Sequence, residues 1–390
     1  GLRDLVSGVK ASFARSHSLK LVGIAVLALM LKIPISNMNW LVNDRDLSRE
    51  EAVDSIVRAW GSNQDLIGPV LTLPYTHWYT VEKKVRKKSV RVVKSETRYI
   101  HILPKSLSVA ATMTTQHRYR GIFNIPVYES DVELSGHFDK QDLTTWEIKE
   151  ADVLWKKATL SVLVSDPRSL SSKDTWTMND NRLTVRAGNG FNLSEAPGSH
   201  AFLAHNFGES GKFKINVHLQ GHDALSIVPA GGETQAAISS NWPHPDFEGA
   251  WLPKSRDIRD DGFSASWSVS YLGRATAGSY QNITTLIDEI RPTAFGVKMN
   301  TPVNSYRMTR RSLKYAFLFI MLTFLSLWLF QLLHNIRIHP VQYLFLGSAL
   351  CVFFLLELSL SEHLKFGTAY MCAAIPVVLL MTYYNYLVLN

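Results

Sequence analysis

Residues 315–333 read "YAFLFIMLTFLSLWLFQLL", a run without a single charged side chain. A helix that crosses the hydrocarbon core of a bilayer needs roughly 20 predominantly apolar residues, since no water is present there to satisfy exposed backbone groups. This stretch meets that requirement and makes the chain a membrane protein. Two further candidates follow. "VQYLFLGSALCVFFLLELSL" at 341–360 has one carboxylate, Glu357, and "GTAYMCAAIPVVLLMTYYNYLVL" at 367–389 has Pro376 as an expected kink. Near the amino terminus, "LKLVGIAVLALMLKIPI" at 19–35 is shorter and is flanked by Lys20 and Lys32, whose stems can snorkel to the interfaces. No small-residue cleavage site follows it, so it reads as an uncleaved anchor rather than a secretory signal.

Whole-chain averages hide this division: 46% of the 390 residues are apolar, 19% are charged and the formal net charge is +8. The expected plan is an amino-terminal segment over 1–18, helices over 19–35, 315–333, 341–360 and 367–389, and a large water-soluble domain over 36–310. Arg3, Lys10, Arg15 and Lys20 before the first helix, against Lys32, Arg45 and Arg49 after it, favour a cytoplasmic amino terminus and a soluble domain outside. "RMTRRSLK" at 307–314 conflicts with this, because it sets basic residues on the outer flank of the second helix. Cys351 and Cys372 both fall in expected membrane helices, so the soluble domain has no thiol, which suits an oxidising compartment.

Within the soluble domain a single helix is expected, over 48–60: Ser48 and Glu51 stand in capping-box spacing, Val53, Ile56, Val57 and Trp60 share a face, and Gly61 ends it. The rest alternates in short β-rich runs, "GPVLTLPYTHWYTV", "SVRVVKSETRYIHILP", "DVELSGHFD", "ATLSVLVSDP", "NRLTVRAG", "FKINVHLQG" and "SASWSVSYLG", separated by Gly, Pro, Asn and Asp. That pattern predicts an antiparallel β-sandwich. "VELSGH" at 132–137 and "VHLQGH" at 217–222 share V-x-L-x-G-H, an echo consistent with two related sheets.

Catalytic signatures are missing: the chain has no H-E-x-x-H, C-x-x-C, phosphate-binding loop or G-x-S-x-G, and no cofactor or metal is expected. The densest chemistry lies at 238–253, "ISSNWPHPDFEGAWLP". Pro243 and Pro245 bias Trp242 and His244 toward extended backbone, so Trp242, His244, Asp246, Phe247 and Trp251 are binding candidates on a stiff corner, or else core packing. Asp246 and Glu248 would share one side of a strand at roughly 6.5–7 Å, as any i, i+2 acidic pair does. His137 and His222 close the two echoed runs and are either a converging pair or turn residues. Asp257, Asp260 and Asp261 read as turn formers before Gly262.

Residues 81–98, "VEKKVRKKSVRVVKSETR", form a basic hairpin whose Lys83, Lys84, Arg86, Lys87 and Lys88 either face anionic headgroups or protect a sheet edge from pairing. Nucleic acid is excluded as a partner by the lack of aromatic interleaving or a recognition motif; the lipid bilayer is required as one. Inside the membrane segments Glu357 is a functional hypothesis by default, with Glu362 and His363 at the nearby interface; alternatively it snorkels to water or pairs with His363.

Several stretches together resemble the CreD family of inner-membrane, cell-envelope-integrity proteins: "LIGPVLTLPY" at 66–75, "SIVPAGG" at 226–232, "SNWPHPDF" at 240–247, "LKYAFLFIMLTF" at 313–324, "HPVQYLFLG" at 339–347 and "LSEH" at 360–363. The resemblance implies a bacterial inner-membrane location, a periplasmic β-rich domain, further spanning helices beyond Asn390 and an association with envelope stress, with no catalytic residues to carry over. The expected function is therefore that of a multi-pass, non-enzymatic protein that supports cell envelope integrity and the stress response by binding an unidentified envelope protein or other envelope component. The alternatives are a tethered glycan- or lipid-binding module, with or without hydrolytic activity, and a transport-coupled component.

Overall fold

Each apolar run of the sequence forms a helix in the computed structural model, which describes residues 17–85, 88–140, 143–171, 174–191, 197–203, 210–273, 278–300, 305–334 and 338–389. The chain divides into one unit of Gly1–Glu51 with Pro302–Asn390 and a second of Ala52–Thr301.

Among the described residues, four helices of the first unit are long and apolar enough to cross a membrane: α1 (His17–Trp60, which runs on into the second unit), α3 (Ser305–His334), α4 (Pro340–Ser361) and α5 (Phe366–Leu389). The expected break before Ser48 is absent, and the anchor and the helix foreseen over 48–60 are one 44-residue helix. A capping box acts only where first-turn N–H groups are free. Pro34 lacks one donor but does not end the helix, and further along the Asn39 side chain bonds the Ile35 carbonyl at 3.2 Å. Helix α5 likewise continues through Pro376.

Helix α4 shows why "HPVQYLFLG" has its composition. His339 is the N-cap, its ring accepting from Val341 N at 3.2 Å, while the Gln342 side chain accepts from His339 N at 3.1 Å and Pro340 occupies a first-turn site that needs no donor. Tyr343 is buried edge-on against Phe324 with its hydroxyl donating to Gln331 Oε1 at 3.3 Å. A Cβ on Gly347 would come within 2.2 Å of the Leu31 side chain and 2.9 Å of Phe324, so glycine lets α1 and α3 approach α4.

The second unit holds two large sheets. The first runs β13 (Pro245–Gly249), β17 (Phe295–Met299), β11 (Ala224–Val228), β1 (Gln64–Val85), β5 (Thr159–Val164), β9 (Gly198–Phe202), β8 (Val185–Ala187), with β2 (Lys88–Ile102) also on β1 and β16 (Ser279–Tyr280) on β2. The other runs β14 (Ser255–Arg259), β15 (Gly262–Ser270), β12 (Glu233–Ser240), β3 (Ser106–Arg120), β4 (Phe123–Asp139), β10 (Ser210–His222), β6 (Thr175–Met178), β7 (Asn181–Leu183). Alternating residues of β3 (Leu107, Val109, Ala111, Met113) and of β10 (Phe213, Ile215, Val217, Leu219) join Leu66, Leu71, Leu160 and Val162 of the first sheet in one buried cluster. All six residues of β5 are buried. Helix α2 (Ile283–Ile290), capped by Asn282 accepting from Thr284 N at 2.8 Å, adds Leu286 and Ile290 to the core.

All seven β-rich runs are strands, but the sheets are not wholly antiparallel: β1 pairs β11 and β12 pairs β3 in parallel. Parallel partners need long crossovers, so local alternation could not reveal them. "LIGPVLTLPY" marks a partner change. Residues 64–67 of β1 pair with β11, then a bulge at Gly68 (φ +119°) and Pro69 shifts the register, and from Leu71 onward β1 pairs with β2. The V-x-L-x-G-H echo does not mark two sheets; its copies lie in adjacent strands of one sheet, with Val132 opposite Val217.

Candidate functional site

The N-W-P-H-P corner lies between β12 and β13. Asn241 Oδ1 accepts from Thr115 N at 2.8 Å and from its hydroxyl at 2.6 Å, which ties the corner to β3. Trp242 then turns inward and is buried, its indole N–H shared by the carbonyls of His244 (3.1 Å) and Asn300 (3.2 Å). Phe247 packs edge-on to Phe263 and Trp267, and the Trp251 carbonyl accepts from the Trp267 indole at 3.1 Å. Of the two expected alternatives, core packing is the one adopted by Trp242, Phe247 and half-buried Trp251, which are core or core-flanking, while His244 and Asp246 are exposed. Only from Pro245, where β13 begins, do side chains alternate, with Phe247 turned inward and Asp246 and Glu248 outward.

Asp246 sits opposite Lys298 in the sheet register, and Lys298 Nζ lies 3.9 Å from Glu248 and 3.5 Å from Asp223, an exposed ionic face. His137 and His222 do not converge: His137 stands opposite Lys212, bonded to Ser106 at 2.6 Å, and His222 stands opposite Val127, bonded to the Pro126 carbonyl at 2.7 Å. Among the described residues no group of three or more His, Cys, Asp or Glu side chains is arranged to hold a metal. Asp260 and Asp261 form the expected turn between β14 and β15, whereas Asp257 lies within β14, opposite Ser264.

The basic hairpin is the outer half of the β1–β2 pair, in register from Tyr75↔Arg98 to Val85↔Lys88. Arg86 and Lys87 lie outside the described residues, as do the side chains of Lys84 and Lys88; Lys83 is exposed. Beyond Tyr75 the ribbon is open on both faces: Trp78 (57% exposed), Val93 (64%) and Tyr99 (46%) lie on one and Tyr79 with Lys94 on the other. Near its base the ribbon is tied down by Trp78 Nε1 donating to Asp152 at 3.0 Å.

In the first unit, polar side chains gather where α1, α3 and α4 meet. Glu357 is fully buried; its Oε2 accepts from Ser312 Oγ at 2.8 Å, and Oε1 has no hydrogen-bond partner among the described residues. One turn on, buried Ser361 accepts from buried Thr309 at 3.3 Å and donates to the Leu358 carbonyl at 2.8 Å. Arg45 pairs with Glu362 at 3.2 Å, and Arg310 pairs with Asp46 and reaches Asn43 at 3.3 Å. The expected alternative of a Glu357–His363 pair is not formed; His363 is exposed, because the helix ends before it and turns its side chain outward. Thr309 and Ser312 were not foreseen from the sequence, where they stand among the basic residues of "RMTRRSLK" ahead of the apolar run.

Residues 16–390 match the family model described as "Inner membrane protein CreD". The inner membrane protein CreD of Escherichia coli (strain K12) is 32% identical over 359 residues, covering 91% of this chain and 78% of that protein. The chain belongs to the CreD family. It is thereby an inner membrane protein, in keeping with its four apolar helices. Two solved structures of an M1 zinc metallopeptidase from Deinococcus radiodurans, one a substrate-bound mutant, are 8% identical with TM-scores of 0.22 and 0.21. They match 43% of this CreD-family chain, which spans 39% and 38% of theirs, a likeness too slight to bear on fold or chemistry.

Proposed function

We propose that this CreD-family chain supports cell envelope integrity and the response to envelope stress as a non-enzymatic interaction module, with its amino terminus in the cytoplasm and its β-rich domain in the periplasm. In this reading the two sheets pack as a sandwich that presents the β1–β2 arm to an anionic envelope component, the headgroups of a bilayer being the foremost. The arm carries the reading. A two-stranded ribbon open on both faces is marginal in water by itself. This one has Trp78, Tyr79 and Tyr99 on its surface, with basic residues outnumbering acidic ones eight to two over 81–98. Aromatic bodies with polar tips beside cationic side chains match the boundary between water and anionic headgroups.

The placement of the domain draws support from the Arg310–Asp46 pair, which neutralises some of the "RMTRRSLK" charge that argued against it. Replacing residues 80–94 by a tight turn, in cells lacking the native family member, tests the proposal. The truncated chain is expected to reach normal membrane levels yet fail to restore resistance to detergent or envelope stress. Full restoration would sink the reading. Changing Asp246 and Glu248 to Ala is expected to leave restoration intact, and its loss would favour a hydrolytic or glycan-binding role instead.

A further inference from the structure

Around the end of the membrane unit some described charged side chains are paired and others are exposed, while Glu357 is neither. On α1, Arg45 is held by Glu362 and Asp46 holds Arg310, while Asp44 is exposed. On α3, Arg311 and Lys314 are exposed, the latter with its ammonium over the Tyr315 ring at 5.7 Å. Beyond α4, His363 and Lys365 are exposed, and Lys32 of α1 lies 6.0 Å over the Phe317 ring. Glu357, the one fully buried carboxyl of this unit among the described residues, has a neutral serine as its hydrogen-bond partner. An ionised carboxylate enclosed without a countercharge costs several kcal/mol even after relaxation.

The surroundings of Glu357 are built to hold a positive charge. Two carboxyl oxygens and the hydroxyls of Ser312, Thr309 and Ser361 lie within two turns of α3 and α4, with apolar Leu313, Ala316 and Leu358 buried around them. This donor set is oxygen throughout, which suits a proton or a hard alkali cation and not a thiophilic metal. We infer that Glu357, with Ser312, Thr309 and Ser361, is a buried binding site for one small monovalent cation, a proton or a sodium ion, that neutralises the carboxyl and joins α3 to α4. The occupied site keeps the two helices packed; losing the cation leaves a buried negative charge between them and loosens that joint. This inference is independent of the β1–β2 arm and of what the arm binds.

Infrared difference spectroscopy of the full chain in phosphatidylcholine nanodiscs at neutral pH, wild type minus Glu357→Gln, tests it. The amide is nearly isosteric and can still accept from Ser312, so the variant is expected to retain wild-type helicity and elution volume. A protonated-carboxyl C=O band present in the wild type with either sodium or choline as the only salt cation, and absent from the variant, identifies a proton as the occupant. A band that appears only when choline replaces sodium identifies sodium. No such band in either salt means a bare carboxylate and overturns the inference. Ser312→Ala keeps the carboxyl and serves if Glu357→Gln does not fold; it is expected to shift the band rather than remove it, and a spectrum identical to wild type likewise overturns the assignment.

Discussion

The indole N–H of Trp242 is shared between two carbonyls, His244 O at 3.1 Å and Asn300 O at 3.2 Å, so one buried donor links the N-W-P-H-P corner to the residue following β17. Trp242→Phe keeps most of the packing and removes that donor, and is expected to cost about 1–2 kcal/mol. Trp242→Ala also opens a cavity and should cost about 3–5 kcal/mol. Urea unfolding of the detergent-solubilised chain, followed by the circular dichroism of the β-rich domain, checks both. A Phe variant as stable as wild type would show that the shared bond contributes nothing.

Gly347 gives a prediction for the membrane unit. A side chain there meets Leu31 and Phe324, so Gly347→Leu should force helices apart and cost about 1–3 kcal/mol, with Gly347→Ala near the lower end. Thermal unfolding in detergent reads the difference. If Gly347→Leu melts with wild type, α1 and α3 do not approach α4 at this point.

The ion pair between Arg45 and Glu362 should behave as a reversible couple. Arg45→Glu sets like charges at a 3.2 Å contact in which Glu362 is only 16% exposed, and is expected to lose about 1 kcal/mol or somewhat more. Exchanging both charges, Arg45→Glu with Glu362→Arg, is expected to recover most of that loss in a double-mutant cycle. Failure of the exchange to recover any stability would mean that the pair is incidental.

His101 makes stability depend on pH. Buried on β2, with Nδ1 2.9 Å from the Thr72 hydroxyl and its ring edge-on to Phe191, it is lowered by desolvation from 6.5 to about 4. Between those values the unfolded chain binds the proton and the folded chain does not, so the contribution is present above about 6.5 and is lost as pH falls toward 4. The full effect is on the order of 3 kcal/mol. Unfolding measured from pH 7 to 4 should show this slope in the wild type and a flatter one in His101→Gln; equal slopes would rule His101 out as the cause.

Some features of the candidate sites were legible in the sequence and others were not, for a consistent reason. Glu357 stood out because a carboxylate in an apolar run is costly wherever the run packs. Its partner Ser312 lies 45 residues earlier on another helix, and nothing local to either residue announces the contact. The N-W-P-H-P corner was recognisable as stiff, since proline restricts its neighbours locally. Whether Trp242 faced solvent or core depended on β3 and on Asn300, which the local sequence does not contain.

By itself the sequence determined the four apolar helices, the seven β-rich runs and the cap of α4, since each follows from the solvent a segment must satisfy or from groups within four residues of one another. Tertiary structure alone decided that α1 passes Ser48 unbroken, that β1 and β12 take parallel partners, and that Glu357 is enclosed with a serine rather than exposed beside His363. These outcomes depend on which distant surfaces are buried together. The free energy of that burial is shared among many residues and is not a property of any one stretch.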